Sequence, residues 1–291
     1  MNKNSGVKHL VVIAFALWLT SCNIINPDEE IPSVLHLSPF TFQIEPGQGS
    51  GDNKVTEVWV YANGNNLGAF SPPVDVHFFE EGLVNFVLRP GIRNNGIADD
   101  AIIYPMFEGY SFDYTASPGS ELDVQPVTRY KTNTVFSLIS DFELINDFVD
   151  NRDTNLTSTF VRSQVDVYEG AYSGQMTVTP DGRYAEVTHT IAIGDLPVNA
   201  SRPTYLEMRY KNEVDFYVGI LGLDLNGNNY SKFFFRANPS TSWKMIYLNL
   251  TDYILESGLP AYKIVFSTVY PSTSTLPQYN IFLDNIKVVH L

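Results

Sequence analysis

Alternation of apolar and polar residues constrains the fold of this chain more than any other feature. Apolar residues occupy every second position in short segments such as 40–44, 74–78 and 84–88, and Gly, Pro or Asn residues separate these segments. Successive side chains of a β-strand point to opposite faces of its sheet, so a period of two is typical of strands with one buried face. No window of a dozen residues has a convincing helical period. The sequence therefore predicts an all-β protein.

Turn signals divide the chain into two predicted β-domains. Asn63-Gly64 and Asn226-Gly227 each lie between strand-like segments, and this dipeptide predicts a two-residue hairpin. Pro118-Gly119 indicates the approaching end of a first domain, after which strand-like segments restart about every ten residues. We therefore predict a β-sandwich over residues 31–130 and a second sandwich or jelly roll over residues 131–291.

Both domains resemble known families. Residues 58–91 contain a "VYANG" and "NLG" hairpin followed by "EEG" and "RPG", and they resemble PEGA-type β-sandwich repeats. This resemblance implies an immunoglobulin-like spacer domain. Residues 131–291 contain, in order, "DFE", "GAYSGQMTV", "SWKMIYLNL" and "NIFLDNIKVV". These motifs resemble the galactose-binding-like jelly roll of many carbohydrate-binding modules, which implies a C-terminal domain that binds carbohydrate.

The jelly-roll resemblance also implies a structural calcium ion. In that family a metal often ties the first strand to the last, and the matching carboxylates here belong to Glu143 and Asp284. Backbone carbonyls of residues 171–174 would complete the implied site. Calcium accepts about six to eight oxygen ligands and tolerates mixed carboxylate and carbonyl donors. The alternative is that the carboxylates of Glu143 and Asp284 do not lie close together, so that they hold no metal.

The N-terminal residues predict export from the cytoplasm. Lys3 and Lys8 precede an unbroken apolar run of ten residues at 10–19. Ten residues of helix span only about 15 Å, half of the roughly 30 Å hydrocarbon core, so the run indicates a cleaved signal peptide. It ends in Leu19-Thr20-Ser21-Cys22, which contains the only cysteine of the chain. This tetrapeptide resembles a bacterial lipobox.

The lipobox resemblance implies a Bacteroidetes-like lipoprotein. Its parts would be a signal peptide over residues 1–21, diacylglyceryl and N-acyl (palmitate) groups on Cys22, and a tether over residues 22–30. Two or more acyl chains anchor a protein stably to a membrane. The implied location is the outer membrane of the bacterial cell envelope, with lipid as the only membrane anchor.

The net charge argues against nucleic-acid binding, and the absence of catalytic motifs argues against enzymatic activity. The chain has 18 basic and 32 acidic residues, and its net charge of −14 disfavours binding to phosphate backbones and anionic headgroups. It has no G-x-S-x-G, H-E-x-x-H or P-loop motif, and acidic pairs such as Glu80-Glu81 are typical of solvated turns. We therefore expect a protein that is not an enzyme and does not bind nucleic acid.

One segment of the second domain predicts a sugar-binding face. In residues 205–211, apolar side chains alternate with aromatic, acidic and basic ones. Sugars pack their C–H faces on aromatic rings and hydrogen-bond polar side chains through their hydroxyls. Two further tyrosines are expected on neighbouring strands. The predicted carbohydrate-binding residues are Tyr205, Glu207, Arg209, Tyr217 and Tyr247. The alternative is an ordinary solvated face of an antiparallel sheet.

The sequence thus predicts a lipid-anchored, non-catalytic cell-envelope protein that binds a glycan through residues 131–291. A structural or assembly lipoprotein that binds other envelope proteins is the second hypothesis. A glycoside hydrolase is the third, because that chemistry needs only two carboxylates at a suitable separation.

Overall fold

The computed structural model describes residues 29–153, 159–224 and 229–291. Strands make up 55% of the chain and helices 3%, which confirms the predicted all-β fold. The only helix within the described ranges is α1 (Thr251–Ser257). Within the same ranges, no helix has the length and apolar character needed to cross a membrane.

Several predictions fall on residues outside the described ranges. They concern the signal peptide over residues 1–21, the lipidation site Cys22, most of the tether over residues 22–30, and the turn at Asn226-Gly227. They stay predictions, as does the domain boundary after residue 130.

The N-terminal half of the chain is a β-sandwich. Its strands are β1 (Ser33–Leu37), β2 (Thr41–Gln43), β3 (Glu57–Ala62), β4 (Asn65–Phe70), β5 (Val74–Phe78), β6 (Gly82–Arg93), β7 (Ala101–Ile103), β8 (Tyr110–Ala116), β9 (Glu121–Val124) and β10 (Val127–Arg129). Sheet I has the order β5-β1-β9, and sheet II has the order β4-β3-β6-β7, with β8 also paired to β6. Strands β2 and β10 pair separately. Alternate residues such as Leu35, Val60 and Phe86 are buried together in one core.

The C-terminal half is a jelly roll of two larger sheets. Its strands are β11 (Val135–Ser140), β12 (Asp150–Asn151), β13 (Thr159–Ser163), β14 (Ser173–Val178), β15 (Tyr184–Thr188), β16 (Ile193–Gly194), β17 (Thr204–Asn212), β18 (Phe216–Leu223), β19 (Asn229–Ala237), β20 (Ser240–Asn249), β21 (Ala261–Val269) and β22 (Tyr279–His290). Sheet III has the order β13-β14-β22-β17-β20, with β11 also on β22. Sheet IV has the order β12-β15-β21-β18-β19, with β16 also on β21. The predicted fold class, a β-sandwich followed by a jelly roll, is confirmed.

The first predicted hairpin turn is present. Asn63 and Gly64 connect β3 to β4, and their φ angles are 48° and 83°. A two-residue turn that matches the twist of its strands needs positive φ at both positions, and Asn and Gly adopt this conformation most readily. The dipeptide therefore sets the register of the β3–β4 pair.

A third apolar cluster, which we call the joint, connects the two halves. From the N-terminal half it contains Ile92, Tyr104, Met106, Phe107 and Tyr130. From the outer face of sheet III it contains Tyr205, Met245, Tyr247 and Val289. The backbone N–H of Asn95 also donates to the carbonyl of Tyr247 at 2.9 Å. The N-terminal half therefore covers part of the outer face of sheet III.

Candidate functional site

The predicted sugar-binding face on β17 and β20 lies inside the joint. Tyr205 and Tyr247 are each only 2% exposed, and Glu207 is completely buried. The alternation predicts the strand orientation correctly, because Leu206 and Met208 point into the jelly-roll core. A period of two separates the two faces of a strand, but it carries no information about what covers each face.

Glu207 is the centre of a buried polar network in the joint. The hydroxyls of Tyr104 and Tyr130 each donate to its carboxylate at 2.5 Å. Lys287 lies opposite Glu207 between β17 and β22, and its Nζ donates to the carbonyl of Ser50 at 2.5 Å. Burial raises the pKa of Glu207 and lowers that of Lys287, because it disfavours the charged form of each. Their mutual attraction opposes both shifts.

Arg209 is also bound by the N-terminal half. Its guanidinium forms an ion pair with Asp52, in which Nη2 lies 2.6 Å from Oδ1. The same group lies 4.4 Å from the ring centroid of Tyr168. The hydroxyl of Tyr247 accepts a hydrogen bond from the backbone N–H of Lys54 at 2.8 Å. Groups of the N-terminal half therefore occupy the positions that sugar hydroxyls would take.

This arrangement corrects the prediction that Tyr205, Glu207, Arg209 and Tyr247 form an open carbohydrate-binding face. A ligand needs accessible surface, and these side chains are buried or nearly so. The physical reason is that the polar outer face of sheet III pairs with polar groups from residues 50–130 instead of with water.

Tyr217, the fifth predicted residue, lies on sheet IV instead of beside the other four. It alternates with the core residues Phe216 and Val218, so it faces outward. The strand registers place it between Ser267 of β21 and Arg236 of β19. Its neighbours are thus different from those predicted, but its half-exposed ring lies on an outer face of the jelly roll.

Three aromatic side chains are partly exposed on the outer face of sheet IV. Tyr184 is 39% exposed and Phe233 is 40% exposed. The rings of Tyr217 and Phe233 meet edge to face, with centroids 6.4 Å apart. A Cβ atom at Gly219 would lie 2.8 Å from the Phe233 ring, so the glycine lets this ring lie against β18. We call Tyr184, Tyr217 and Phe233 the aromatic face; sequence reasoning missed two of them because their strands are distant in sequence.

Two carboxylates on the same outer face are held by basic side chains. Glu186 accepts a hydrogen bond from Nε of Arg152 at 2.8 Å and another from the hydroxyl of Tyr184. Asp150 accepts a hydrogen bond from Nζ of Lys263 at 2.7 Å, and this bond lowers the pKa of Asp150. The aromatic face therefore lies among charged groups whose orientations are already set.

Glu143 and Asp284 both hydrogen-bond the connection between β13 and β14. Oε1 of Glu143 accepts from the backbone N–H groups of Ala171 and Tyr172 at 2.9 and 3.0 Å. Asp284 is completely buried and accepts from the backbone N–H of Tyr168 at 3.2 Å. Burial raises the pKa of Asp284 to about 7, and the charge of Glu143 adds to this effect, while backbone hydrogen bonds oppose it.

The donor set of this pair suits a hard cation. Its carboxylates, with carbonyl oxygens from residues 171–174, are the ligand types that calcium takes, and a cation would offset the cost of ionising Asp284. Within the described part of the chain, no three His, Cys, Asp or Glu side chains are grouped to hold a metal. Further ligands would therefore have to be carbonyl oxygens or water, and calcium binding stays a prediction.

Comparison with known proteins finds structural likeness only. No family model matches the chain, and no curated protein matches it. The CBM22-1 xylan-binding domain from Paenibacillus barcinonensis Xyn10C is 12% identical with a TM-score of 0.38, covering 54% of this chain and 94% of that one. A family 30 carbohydrate binding module is 16% identical with a TM-score of 0.39, covering 54% and 88%. A likeness at this level assigns no ligand to this chain.

Removing the hydroxyl of Tyr104 should destabilise the protein, because the buried carboxylate of Glu207 loses one of its two tyrosine donors. We expect Tyr104→Phe to lower the free energy of unfolding by about 1–3 kcal/mol. Tyr217→Phe is the matched control, since its hydroxyl has no hydrogen bond to the described residues, and its effect should stay within about 0.5 kcal/mol. Urea unfolding measures both. Equal stability of Tyr104→Phe and the wild type would contradict the network.

Proposed function

We propose that the C-terminal half of this protein binds carbohydrate, without catalysis, through the aromatic face of sheet IV. The supporting observation is that Tyr184, Tyr217 and Phe233 expose their rings on one face. Sugar rings have apolar C–H surfaces that pack on aromatic rings, and their hydroxyls hydrogen-bond nearby polar groups. A ring on a sheet surface loses little conformational entropy on binding, because its strand already restricts its rotamers.

The charged side chains beside the aromatic face supply hydrogen-bond acceptors and donors. Glu186 and Arg152 orient each other, and so do Asp150 and Lys263. A sugar hydroxyl both donates and accepts, so it can bond a carboxylate and a basic group at once. Because the ion pairs exist before the ligand arrives, little ordering accompanies binding.

The same ion pairs favour binding over hydrolysis. A glycosidase needs one carboxyl group that stays protonated until it protonates the leaving oxygen, and such a group has a raised pKa. The hydrogen bond from Lys263 instead lowers the pKa of Asp150. Glu186 accepts hydrogen bonds from Arg152 and from the hydroxyl of Tyr184. Asp150 therefore accepts hydrogen bonds but is a poor proton donor.

We propose that lipid on Cys22 anchors the protein to the outer membrane of a bacterium. The support is the apolar run at 10–19 followed by the lipobox-like residues 19–22. Acyl chains on one cysteine would hold the protein at the membrane, while the excess of acidic residues, 32 against 18 basic ones over the full chain, would keep the folded body away from anionic headgroups.

We also propose that calcium binds between Glu143 and Asp284. The completely buried carboxyl group of Asp284, with its pKa raised to about 7, supports this proposal. Glu143 and Asp284 would hold the ion, which would link the start of the jelly roll to β22. With a single cysteine in the chain, no internal disulfide is available to make such a link.

Truncation of the aromatic face should weaken glycan binding. We expect Phe233→Ala to raise the Kd for the best ligand of a glycan array by about 30-fold, since aromatic contacts at binding hot spots are worth about 2 kcal/mol. Phe79→Ala is the matched control, because Phe79 is an exposed phenylalanine, 56% accessible, in the N-terminal half. Calorimetric titration measures both. An equal loss in the two variants, or none in Phe233→Ala, would refute the assignment.

Calcium should remove a pH dependence that Asp284 causes. Its pKa is about 7 in the folded protein against an ordinary 3.8, so ionisation destabilises the metal-free folded state as pH rises through this range. In EDTA, we expect Asp284→Asn to lose part of the decrease in melting temperature between about pH 5 and pH 8. Calcium at about a hundredfold over its Kd should stabilise the wild type at pH 8 by about 2.7 kcal/mol.

Asp99→Asn is the control for this experiment, because Asp99 is an exposed acid with no hydrogen bond or ion pair in the described structure. It should keep both the pH dependence and the response to calcium. A wild-type melting temperature that is unaffected by calcium and EDTA would rule out the metal site, whatever the pH dependence.

Replacing Cys22 should release the protein from the membrane without blocking its export. In Cys22→Ala the signal at residues 1–21 is intact but the acyl acceptor is missing, so we expect the protein outside the cytoplasm in the soluble fraction. Fractionation followed by detergent-phase partition measures this. Unchanged partition of Cys22→Ala into the membrane fraction would end the lipoprotein proposal.

A further inference from the structure

We propose that the chain contains a second ligand site on the outer face of sheet II, which binds an acidic saccharide between Arg89 of the N-terminal half and Lys131, the residue that follows this half. This inference goes beyond the proposed function, because it concerns a different half of the chain and a different sheet. It gives a binding role to residues whose sequence implies only a spacer domain.

The site is a cavity of about 400 Å³ on the outer face of sheet II. Its floor is β6, where Arg89 alternates with the core residue Leu88. Lys131 lies at its edge, positioned by a backbone hydrogen bond from its N–H to the carbonyl of Met106 at 2.8 Å. A volume of several hundred cubic ångströms is typical of small-ligand sites.

The charges of this cavity are unusual for such an acidic protein. Of the described residues that line it, Arg89 and Lys131 are charged and none is acidic. Neither makes an ion pair or a side-chain hydrogen bond within the described ranges. Other basic residues do, as in the pairs Arg93 with Glu57 and Arg129 with Glu108. Two cations in the lining of one cavity, without a counter-charge, favour binding of an anion.

Aromatic side chains of β3 lie beside Arg89. Its guanidinium lies 5.3 Å from the ring centroid of Tyr61, and β3 places Trp59 directly opposite Arg89. A Cβ atom at Gly91 would come within 2.0 Å of the Trp59 ring, so this ring packs against the bare glycine backbone. Stacking restrains the guanidinium, whose N–H groups can then bind a carboxylate or sulfate in bidentate fashion.

The accessible walls favour a saccharide over a bare inorganic anion. The partly exposed Pro105 contributes apolar surface, and the exposed Ser111 contributes a hydroxyl. A sugar residue has both kinds of surface, since its C–H groups pack on rings while its hydroxyls hydrogen-bond. We therefore assign a saccharide that carries an oxyanion, either the carboxylate of a uronate or a sulfate ester.

Calorimetric titration of the full chain with three probes tests the proposal. Trigalacturonate carries carboxylates, a carrageenan-derived oligosaccharide carries sulfates, and galactotriose is neutral. We expect at least one acidic probe to bind, and the one that binds identifies the oxyanion. Arg89→Gln and Lys131→Gln should each weaken that binding at least about tenfold, because each removes a charged hydrogen-bond donor.

Controls separate this site from other charges and from the aromatic face. Arg183, stacked on Tyr270 in the C-terminal half, and the exposed Lys244 match the two test residues in charge. Arg183→Gln, Lys244→Gln and Phe233→Ala should leave the Kd of the acidic probe unchanged. If Phe233→Ala instead removes binding of the acidic probe, the site lies on sheet IV and the present proposal is wrong.

Two further results would overturn the proposal. One is that neither acidic probe binds the full chain. The other is that binding persists in both Arg89→Gln and Lys131→Gln. Lys131→Gln provides an independent test if Arg89→Gln alters the melting temperature, because the lysine side chain makes no polar contact within the described structure.

Discussion

The buried carboxylate of Glu207 determines how the two halves of the chain meet. A carboxylate away from water is stable only when hydrogen bonds and an opposite charge replace its hydration. Tyr104 and Tyr130 donate the hydrogen bonds from the N-terminal half, and Lys287 provides the charge from the adjacent strand. Moving one half relative to the other would break these bonds while the acid is still partly buried. A satisfied polar network of this kind therefore selects one arrangement, whereas apolar contacts alone tolerate sliding.

The joint decides which surfaces remain for ligands. It covers the outer face of sheet III around Tyr205 and Tyr247, and the ion pair between Arg209 and Asp52 extends this cover. The outer face of sheet IV lies on the opposite side of the jelly-roll core and keeps Tyr184 and Phe233 exposed. Polar and aromatic side chains on a strand thus serve two purposes in this protein. On one sheet they join the halves, and on the other they remain accessible.

Local patterns in the sequence predict local structure well. The period of two identifies the strands and the buried sides of Leu206 and Met208, and Asn63-Gly64 identifies a hairpin because positive φ is needed at both positions. The residues that cover a strand are distant from it in sequence, and the period of two within the strand does not indicate which residues these are. Glu207 meets Tyr104 and Tyr130 from 103 and 77 residues away. The same limit explains why Tyr217 was predicted beside the wrong strands.

A rigid joint also changes what two weak sites can do. The aromatic face and the cavity at Arg89 lie on different sheets. Each proposed site is open to solvent, so each alone would offer fewer contacts to a ligand than an enclosed pocket does. If both halves were connected by a flexible linker, binding at one site would only loosely constrain the other. The network around Glu207 instead holds the two proposed sites at one separation, so a glycan that spanned this separation would bind the second site intramolecularly. The same arrangement would exclude glycans of other lengths and shapes from contacting both proposed sites at once, because such contact would require the buried carboxylate of Glu207 to lose its partners.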